Sequence, residues 1–354
     1  SGNNIEAKSD FENEIKKLKI QLNSSLQENS ELFSNLEQVR LESRNLRSKL
    51  SALGVDVSAL QADETDDDSP EESETRENIR LLNCRLETLV SDLKGMETRK
   101  QLFLHYKGGT GKTCLSVAFG YKLASLGFKV LMIDMDPLSH LTEICGIKNI
   151  ETKDSLFDVL IKGKDITQAV SRTKIPNLYV IPSNISLSAI EQPLSTMPLP
   201  GERLRMALSR IENDYNFIIM DSAPNVGFLS LNAILASDDL IIPMLADYLS
   251  YHGLKILFEV LSSIENDFSF AFQNICVVLN RFNEFQEVCF SVKNALETNY
   301  PEFLLKTVIR ESVDIANAVS SGKPVLALNK VSRGTEDILK FIFEVLFYIG
   351  GKKW

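Results

Sequence analysis

The chain is short of the residues that build metal cages, disulfide frameworks and membrane spans. Its five cysteines (Cys84, Cys114, Cys145, Cys276 and Cys289) form no CxxC pair, and only three histidines exist, at 105, 140 and 252. That scatter argues for small buried apolar residues in a reducing compartment rather than for zinc, an iron–sulfur cluster or a disulfide scaffold. No stretch reaches the roughly 20 apolar residues a spanning helix needs. The polar opening residues lack a secretory-signal pattern, and Ser1-Gly2 without a methionine has the look of a tag remnant. There is no basic excess either. Residues 1–100 carry a net charge of −7 and residues 101–354 one of −3, within a total of −10. Any nucleic-acid contact would need a local patch.

Glycine and proline are also missing from residues 3–53, and a seven-residue repeat fills that gap. Ile15, Leu22, Asn29, Leu36, Ser43 and Leu50 fall on one position, and Leu18, Ser25, Leu32, Val39 and Leu46 on its companion. The repeat predicts a coiled-coil helix over 1–60, with a lone amphipathic helix packed on the globular part as the alternative. Residues 61–77 are rich in acids and hold no large apolar side chain beyond their edges, so they read as a solvated linker. Ile79, Leu82, Leu86, Leu89, Leu93 and Met96 then form a second heptad stretch, expected as a helix over 78–99.

From residue 100 to 354 short apolar runs alternate with helical patterns. The runs are Leu102–His105, Val130–Ile133, Leu178–Ile181, Phe217–Met220, Leu240–Met244, Ile275–Leu279 and Thr307–Ile309. Continuous apolar strands separated by helices predict an α/β domain, a mainly parallel sheet covered on both faces.

Lys107-Gly108-Gly109-Thr110-Gly111-Lys112-Thr113 follows the first run and precedes a helical pattern. Strand, glycine-rich loop and helix, closed by Lys-Thr, make a P-loop. Its glycines let successive N–H groups face phosphate oxygens, and the helix N-terminus adds positive potential. Lys112 is placed for the β- and γ-phosphates and the Thr113 hydroxyl for Mg²⁺. Two further apolar strands end in acids, at Asp134 with Asp136, and at Asp221. Such a carboxylate can be an N-cap, but ligands in open α/β sheets gather at these strand ends, so Asp134 and Asp221 are candidates for the Mg²⁺ shell.

The combination resembles the ParA/MinD family of deviant Walker A ATPases, and ParA-type partition ATPases above all. Lys107–Thr113 is similar to its deviant Walker A motif, Ile133-Asp134-Met135-Asp136-Pro137 to Walker A′, and Asp221-Ser222-Ala223-Pro224-Asn225-Val226-Gly227 to Walker B/switch II. Pro243, Gly253-Leu254, Val308–Ser312 and Ser321–Val325 fit as well. The likeness covers roughly residues 100–350 and leaves the first hundred outside.

The resemblance implies a P-loop ATPase fold, ATP and Mg²⁺ as cofactors, and an ATP-dependent homodimer. In that dimer Lys107 reaches phosphates in the partner subunit, Asp136 orients the attacking water, and Lys112 holds the β/γ-phosphates. Gly108 to Cys114 cradle the nucleotide, Asn280 reads the adenine, and Arg310 lies in the segment expected near the nucleotide. A ParB-like or cargo-adaptor protein would stimulate slow turnover in a bacterial cytoplasm, with the nucleoid as a candidate location, moving DNA or another cargo. Leu138 and Ala223 depart from the family pattern. Arg310-Glu311-Ser312-Val313-Asp314 places acids where DNA binding wants a second arginine, which weighs against a DNA track. Arg281, Lys293, Lys306, Arg310, Lys323, Lys330 and Arg333 are the remaining candidate cations.

Two other readings stand beside this one. The heptads suit a coiled-coil scaffold or cytoskeletal protein with a nucleotide gate. The apolar stretch Ile338–Ile349 suits either a helix packed on the sheet or a MinD-like membrane contact; its Lys340 and Glu344 favour packing, since a membrane-surface helix wants a basic polar face.

Overall fold

The computed structural model describes residues 70–148 and 154–351. The first heptad repeat, and residues 61–69 of the acidic segment, lie outside them.

The described chain runs α1 (Pro70–Leu93), β1 (Arg99–Phe103), α2 (Lys112–Ser125), β2 (Val130–Met135), α3 (His140–Ile144), α4 (Leu156–Lys162), α5 (Ile166–Ala169), β3 (Ser171–Arg172) and β4 (Leu178–Ile181). It continues through α6 (Glu191–Ser195), α7 (Arg203–Leu208), β5 (Phe217–Ser222), α8 (Phe228–Leu235), β6 (Asp239–Leu245) and α9 (Tyr248–Phe268). The last elements are β7 (Asn274–Phe282), α10 (Glu287–Asn299), β8 (Leu304–Arg310), α11 (Val313–Ser320) and α12 (Arg333–Ile349).

The eight strands form one sheet in the order β3-β4-β2-β5-β1-β6-β7-β8, parallel throughout except for the β3–β4 pair. Six of the seven apolar runs lie within strands, and Leu102–His105 is strand as far as Phe103. The two-residue β3 is an addition too short to leave a periodic signal. Residues alternate between two cores. Phe103, Met132 and Ile219 face α1, α2 and α12, while Leu104, Ile133 and Met220 face α4, α7, α8, α9 and α10. Burial on both faces is why the strands read as unbroken apolar runs.

Three boundaries differ from the sequence expectation. β1 begins at Arg99, before the apolar run, because Asp239 accepts from the Arg99 and Gln101 side chains and makes these polar residues acceptable inside. Helix α1 begins at Pro70, so residues 70–77, assigned by composition to a linker, are helical. Proline is well tolerated in a helix's first turn, and Glu71 and Glu72 there complement the positive end of the dipole. The helix stops at Leu93 rather than continuing to residue 99.

The second heptad seam is buried within the chain itself. Leu82, Leu86, Leu89 and Leu93 share a core with Ile342, Val345, Leu346 and Ile349 of α12. Asn78 donates to Glu336 at 3.0 Å, and Lys122 of α2 donates to Asn83 at 2.7 Å. Pro70 onward therefore forms one compact unit, in which the heptad helix is a layer of the α/β fold and not a separate segment. Helix α12 also covers the sheet as expected from its sequence, with Phe341 in a triangle of rings with Phe103 and Phe119. Among the described residues no helix is long and apolar enough to cross a membrane. The buried Glu344 carboxylate of α12 accepts from the backbone N–H groups of Lys306 and Thr307 in β8, at 2.7 and 2.9 Å.

Candidate functional site

The glycine-rich loop leaves β1, the strand between β5 and β6, and closes at the first residue of α2. Its neighbour across β5 is β2, with Asp134 and Asp221 opposite each other in the register. The parallel sheet thus carries two carboxylates to one edge, next to the loop.

Gly111 caps α2 at φ +95°, in the left-handed region. A Cβ there would also lie 2.1 Å from the Asn280 amide nitrogen, so a side chain at this position would displace Asn280 as well. Asn280 donates to the Thr110 carbonyl at 2.8 Å, and its own oxygen accepts from the Arg281 N–H. In this structure Asn280 braces the loop from the end of β7.

Lys112 curls over the loop. Its ammonium donates to the carbonyls of His105 at 3.0 Å and Lys107 at 3.3 Å. Burial lowers its pKa, against the opposing pull of Asp221 and Asp136. Asp221 is almost wholly buried, and its Oδ1 has no hydrogen-bond partner. Burial, and then the neighbouring Asp134, push its pKa up to about 7, while the Thr113 hydroxyl and Lys112 work the other way. Asp134 is pushed up to about 6, again by burial first. Both its oxygens are engaged, Oδ2 by the Thr142 N–H and hydroxyl at 2.9 and 2.6 Å, and Oδ1 by the Asp136 N–H at 3.1 Å. Of the two carboxylates, Asp221 has the spare oxygen, and Asp134 mainly ties β2 to α3.

Asp136 is half-buried, and its Oδ1 accepts from the Leu138 N–H. Ser183 beyond β4 holds the Asp136 carbonyl at 2.6 Å, fixing this turn to the neighbouring strand. Cys114 faces burial that raises its thiol to about 11, so it is not a nucleophile at neutral pH. Arg310 stands apart from the group. Asp337 takes its guanidinium on both oxygens, at 2.7 and 2.8 Å, which gives it a structural partner instead of a free place for the cofactor.

Three contributors had no motif to announce them. Asp247 at the head of α9 holds the Lys107 ammonium at 2.6 and 2.8 Å. His105 accepts the Lys107 N–H on Nδ1 at 3.0 Å, and its Nε2 is buried without a partner. Glu191 accepts from the Phe228 and Leu229 N–H groups at the start of α8, just after the Walker B segment. The only hint of Asp247 in the sequence is an acid three residues before a serine at a helix start, the pattern of an N-cap.

The arrangement fits a magnesium nucleotide. A buried ammonium rests on backbone carbonyls, a buried carboxylate oxygen is orphaned, and the Thr110 hydroxyl is buried without a partner. Among the described residues no three His, Cys, Asp or Glu side chains gather into a cage. Mg²⁺ commonly takes only one or two carboxylates and completes its shell with phosphate and water.

Comparison with known proteins agrees. A family model described as an AAA domain matches residues 99–274. The chain is 37% identical over 308 residues to the cell division protein PomZ of Myxococcus xanthus, covering 86% of this chain and 94% of that one. It is 31% identical over 239 residues to the sporulation initiation inhibitor protein Soj of Bacillus subtilis, covering 68% of this chain and 94% of that one. The structure of a Cyanothece McdA variant in complex with ATP superimposes with a TM-score of 0.65 at 25% identity, covering 73% of this chain and 99% of that one. With the P-loop on β1, the paired carboxylates on β2 and β5 and relatives of this similarity along nearly their whole length, the chain belongs to the ParA/MinD family of P-loop ATPases.

Proposed function

We propose that this ParA-type ATPase binds ATP with Mg²⁺ at Lys107–Thr113, forms a nucleotide-sandwich dimer through Lys107, and uses slow, partner-stimulated hydrolysis to position a cargo. The observation that carries the reading is the apposition of Asp134 and Asp221 beside Lys112 and Thr113, with an Asp221 oxygen left over.

Bound Mg²⁺ would supply charge neutralisation for the phosphates. Lys112 exchanges its two carbonyl acceptors for phosphate oxygens. The Thr113 hydroxyl and Asp221 would hold the metal, and Asp134 keeps the β2 end in register through Thr142. Asp136 orients water, with Ser183 fixing its turn. Asn280 positions the loop behind Gly111. A lysine arriving in trans stabilises the transferring charge as an arginine finger does, which makes turnover depend on assembly. Equilibrium sedimentation with ATP, ADP and no nucleotide tests this. The expected result is dimer with ATP alone, lost in Lys107→Ala and in Lys112→Ala; an ATP-independent mass would sink the reading.

The cargo track is proposed to be other than nonspecific DNA. Five of the seven candidate cations are ion-paired: Arg281 with Glu311, Lys293 with Glu297, Arg310 with Asp337, Lys330 with Asp314 and Arg333 with Glu71. Within this group few charges are left to release counterions from phosphates. DNA retention measured across salt concentrations with ATP should be weak and nearly salt-independent. A steep slope would restore DNA as the track. A membrane track is disfavoured for a similar reason, because the apolar face of α12 is buried against the sheet. The protein named for cell division among the relatives makes division-site positioning a cargo to test alongside partition.

A further inference from the structure

We infer that Asp247 is a positioning residue that holds Lys107 within its own subunit, and so sets how much ATP is needed before that lysine is delivered to a second copy of the chain. The inference rests on the sandwich-dimer reading above.

Asp247 follows β6 directly and caps α9 in an extended conformation, with its side chain accepting the Ser250 N–H at 2.8 Å. The same carboxylate grips the Lys107 ammonium with both oxygens. Burial works against its charge, but the hydrogen bonds from Lys107 and Ser250 outweigh this and hold its pKa below the usual carboxylate range. It is therefore an anion wherever the loop functions.

The main chain of Lys107 is held by His105, whose ring lies against the same helix. Its N–H donates to Nδ1 of His105, which must be unprotonated there to accept. Burial first, and then Lys112, lower the His105 pKa to about 4, so the acceptor persists at neutral pH. The ring lies against α9, where a Cβ on Gly253 would come within 3.2 Å of its Cε1. The opening turns of α9 thus steady the backbone of Lys107 through His105 and hold its ammonium through Asp247.

The grip is linked to the phosphate site. Lys112 donates to the carbonyls of both His105 and Lys107. A phosphate that draws Lys112 away removes a donor from the two residues on which the Lys107 hold depends. The ion pair is also half-open to water, at 29% and 38% side-chain exposure. Pairs of that exposure are weak enough for a desolvated phosphate to outcompete. A plain surface ion pair that only steadies the start of α9 is the rival account.

Asp247→Asn separates the two accounts, because asparagine caps a helix as well as aspartate does but carries no charge. The full chain is titrated with ATP and Mg²⁺ in sedimentation-velocity runs. The ATP concentration for half-maximal association should fall about two- to fivefold in Asp247→Asn. Asp247→Ala, which loses the cap as well, should show the same shift on a less stable background. Brief acylation of the nucleotide-free protein, followed by mass spectrometry, should show Lys107 labelling rise in both variants. If the wild type associates with ATP and Asp247→Asn does so at the same concentration, the inference falls while the dimer stands. A shift in Asp247→Ala alone also overturns it, since threshold would then follow the cap. A wild type indifferent to ATP removes the dimer reading and the inference together.

Discussion

The same sheet carries a buried polar cluster at each end, and the two are built in opposite ways. At the start of the strands, Arg99 of β1 meets Asp239 of β6, with Gln101 and Asn274 also donating to that carboxylate and Gln273 accepting from the guanidinium. Both oxygens of Asp239 are engaged, and a cation faces an anion. At the far end, Asp221 and Asp134 are two like charges side by side, and Asp221 keeps an unpartnered oxygen. Lys112 is near, yet it donates to backbone carbonyls rather than closing an ion pair with them. Buried charge is tolerated in a fold when matched, and unmatched buried charge marks a place where a ligand completes the set. The first cluster holds strands together, and the second is the proposed place for phosphate and metal.

Breaking the matched end should have the largest effect. Asp239→Ala leaves the Arg99 guanidinium buried without its anion, a change expected to cost about 3–5 kcal/mol in urea unfolding. A loss under 1 kcal/mol would show that water reaches Arg99 and that the comparison is overdrawn. Next comes Lys112→Ala, which should weaken ATP binding by about 100-fold in calorimetry, as loss of charge-assisted phosphate contacts implies, while leaving the fold intact. Near-normal affinity would remove Lys112 from the site.

The third test uses pH to sharpen the contrast. The folded-state pKa of Asp221 lies above its ordinary 3.8, at about 7, so the folded chain binds the extra proton in that window. Stability contributed by this group is therefore present at low pH and lost as pH rises through the window. His105, lowered from 6.5 to about 4, acts with the opposite sign. Subtracting the unfolding curves of Asp221→Asn from those of wild type, without nucleotide or Mg²⁺, isolates the aspartate. The variant should gain on wild type as pH rises from about 4 to 7, and a constant difference would show no shift. The smallest effect is expected from Glu191→Ala, which removes the acceptor of the Phe228 and Leu229 N–H groups and should cost about 1 kcal/mol by the same unfolding measurement. An unchanged midpoint would mean water substitutes for it.

Most of the sheet was legible because burial on both faces writes a strand as an apolar run, and Val130–Ile133 or Phe217–Met220 needs no context to be recognised. Lys112, Thr113, Asp134, Asp136 and Asp221 were legible because their spacing is set locally by loop and strand end. Arg99, Gln101 and Asp247 were not. Their partners lie more than 130 residues away, and a polar residue in sequence gives no sign of the carboxylate or ammonium that will meet it. The second heptad lies on a helix as far as Leu93, but its seam could not say what it would cover. The answer was α12, folded back from the other end of the chain. Arg310 shows the same limit from the other side, since a cation in a motif was already matched by Asp337.

The Glu344 contact has a consequence for aggregation. β8 is a rim of the sheet, where exposed N–H groups would template the addition of a foreign strand. Glu344 takes two of those groups, Lys306 and Thr307, and Asp337 takes that of Arg310. The opposite rim is only the two residues of β3. Edge-to-edge stacking of sheets into fibres is thereby blunted at both margins, and the backbone of the sheet is kept out of contacts between copies of the chain.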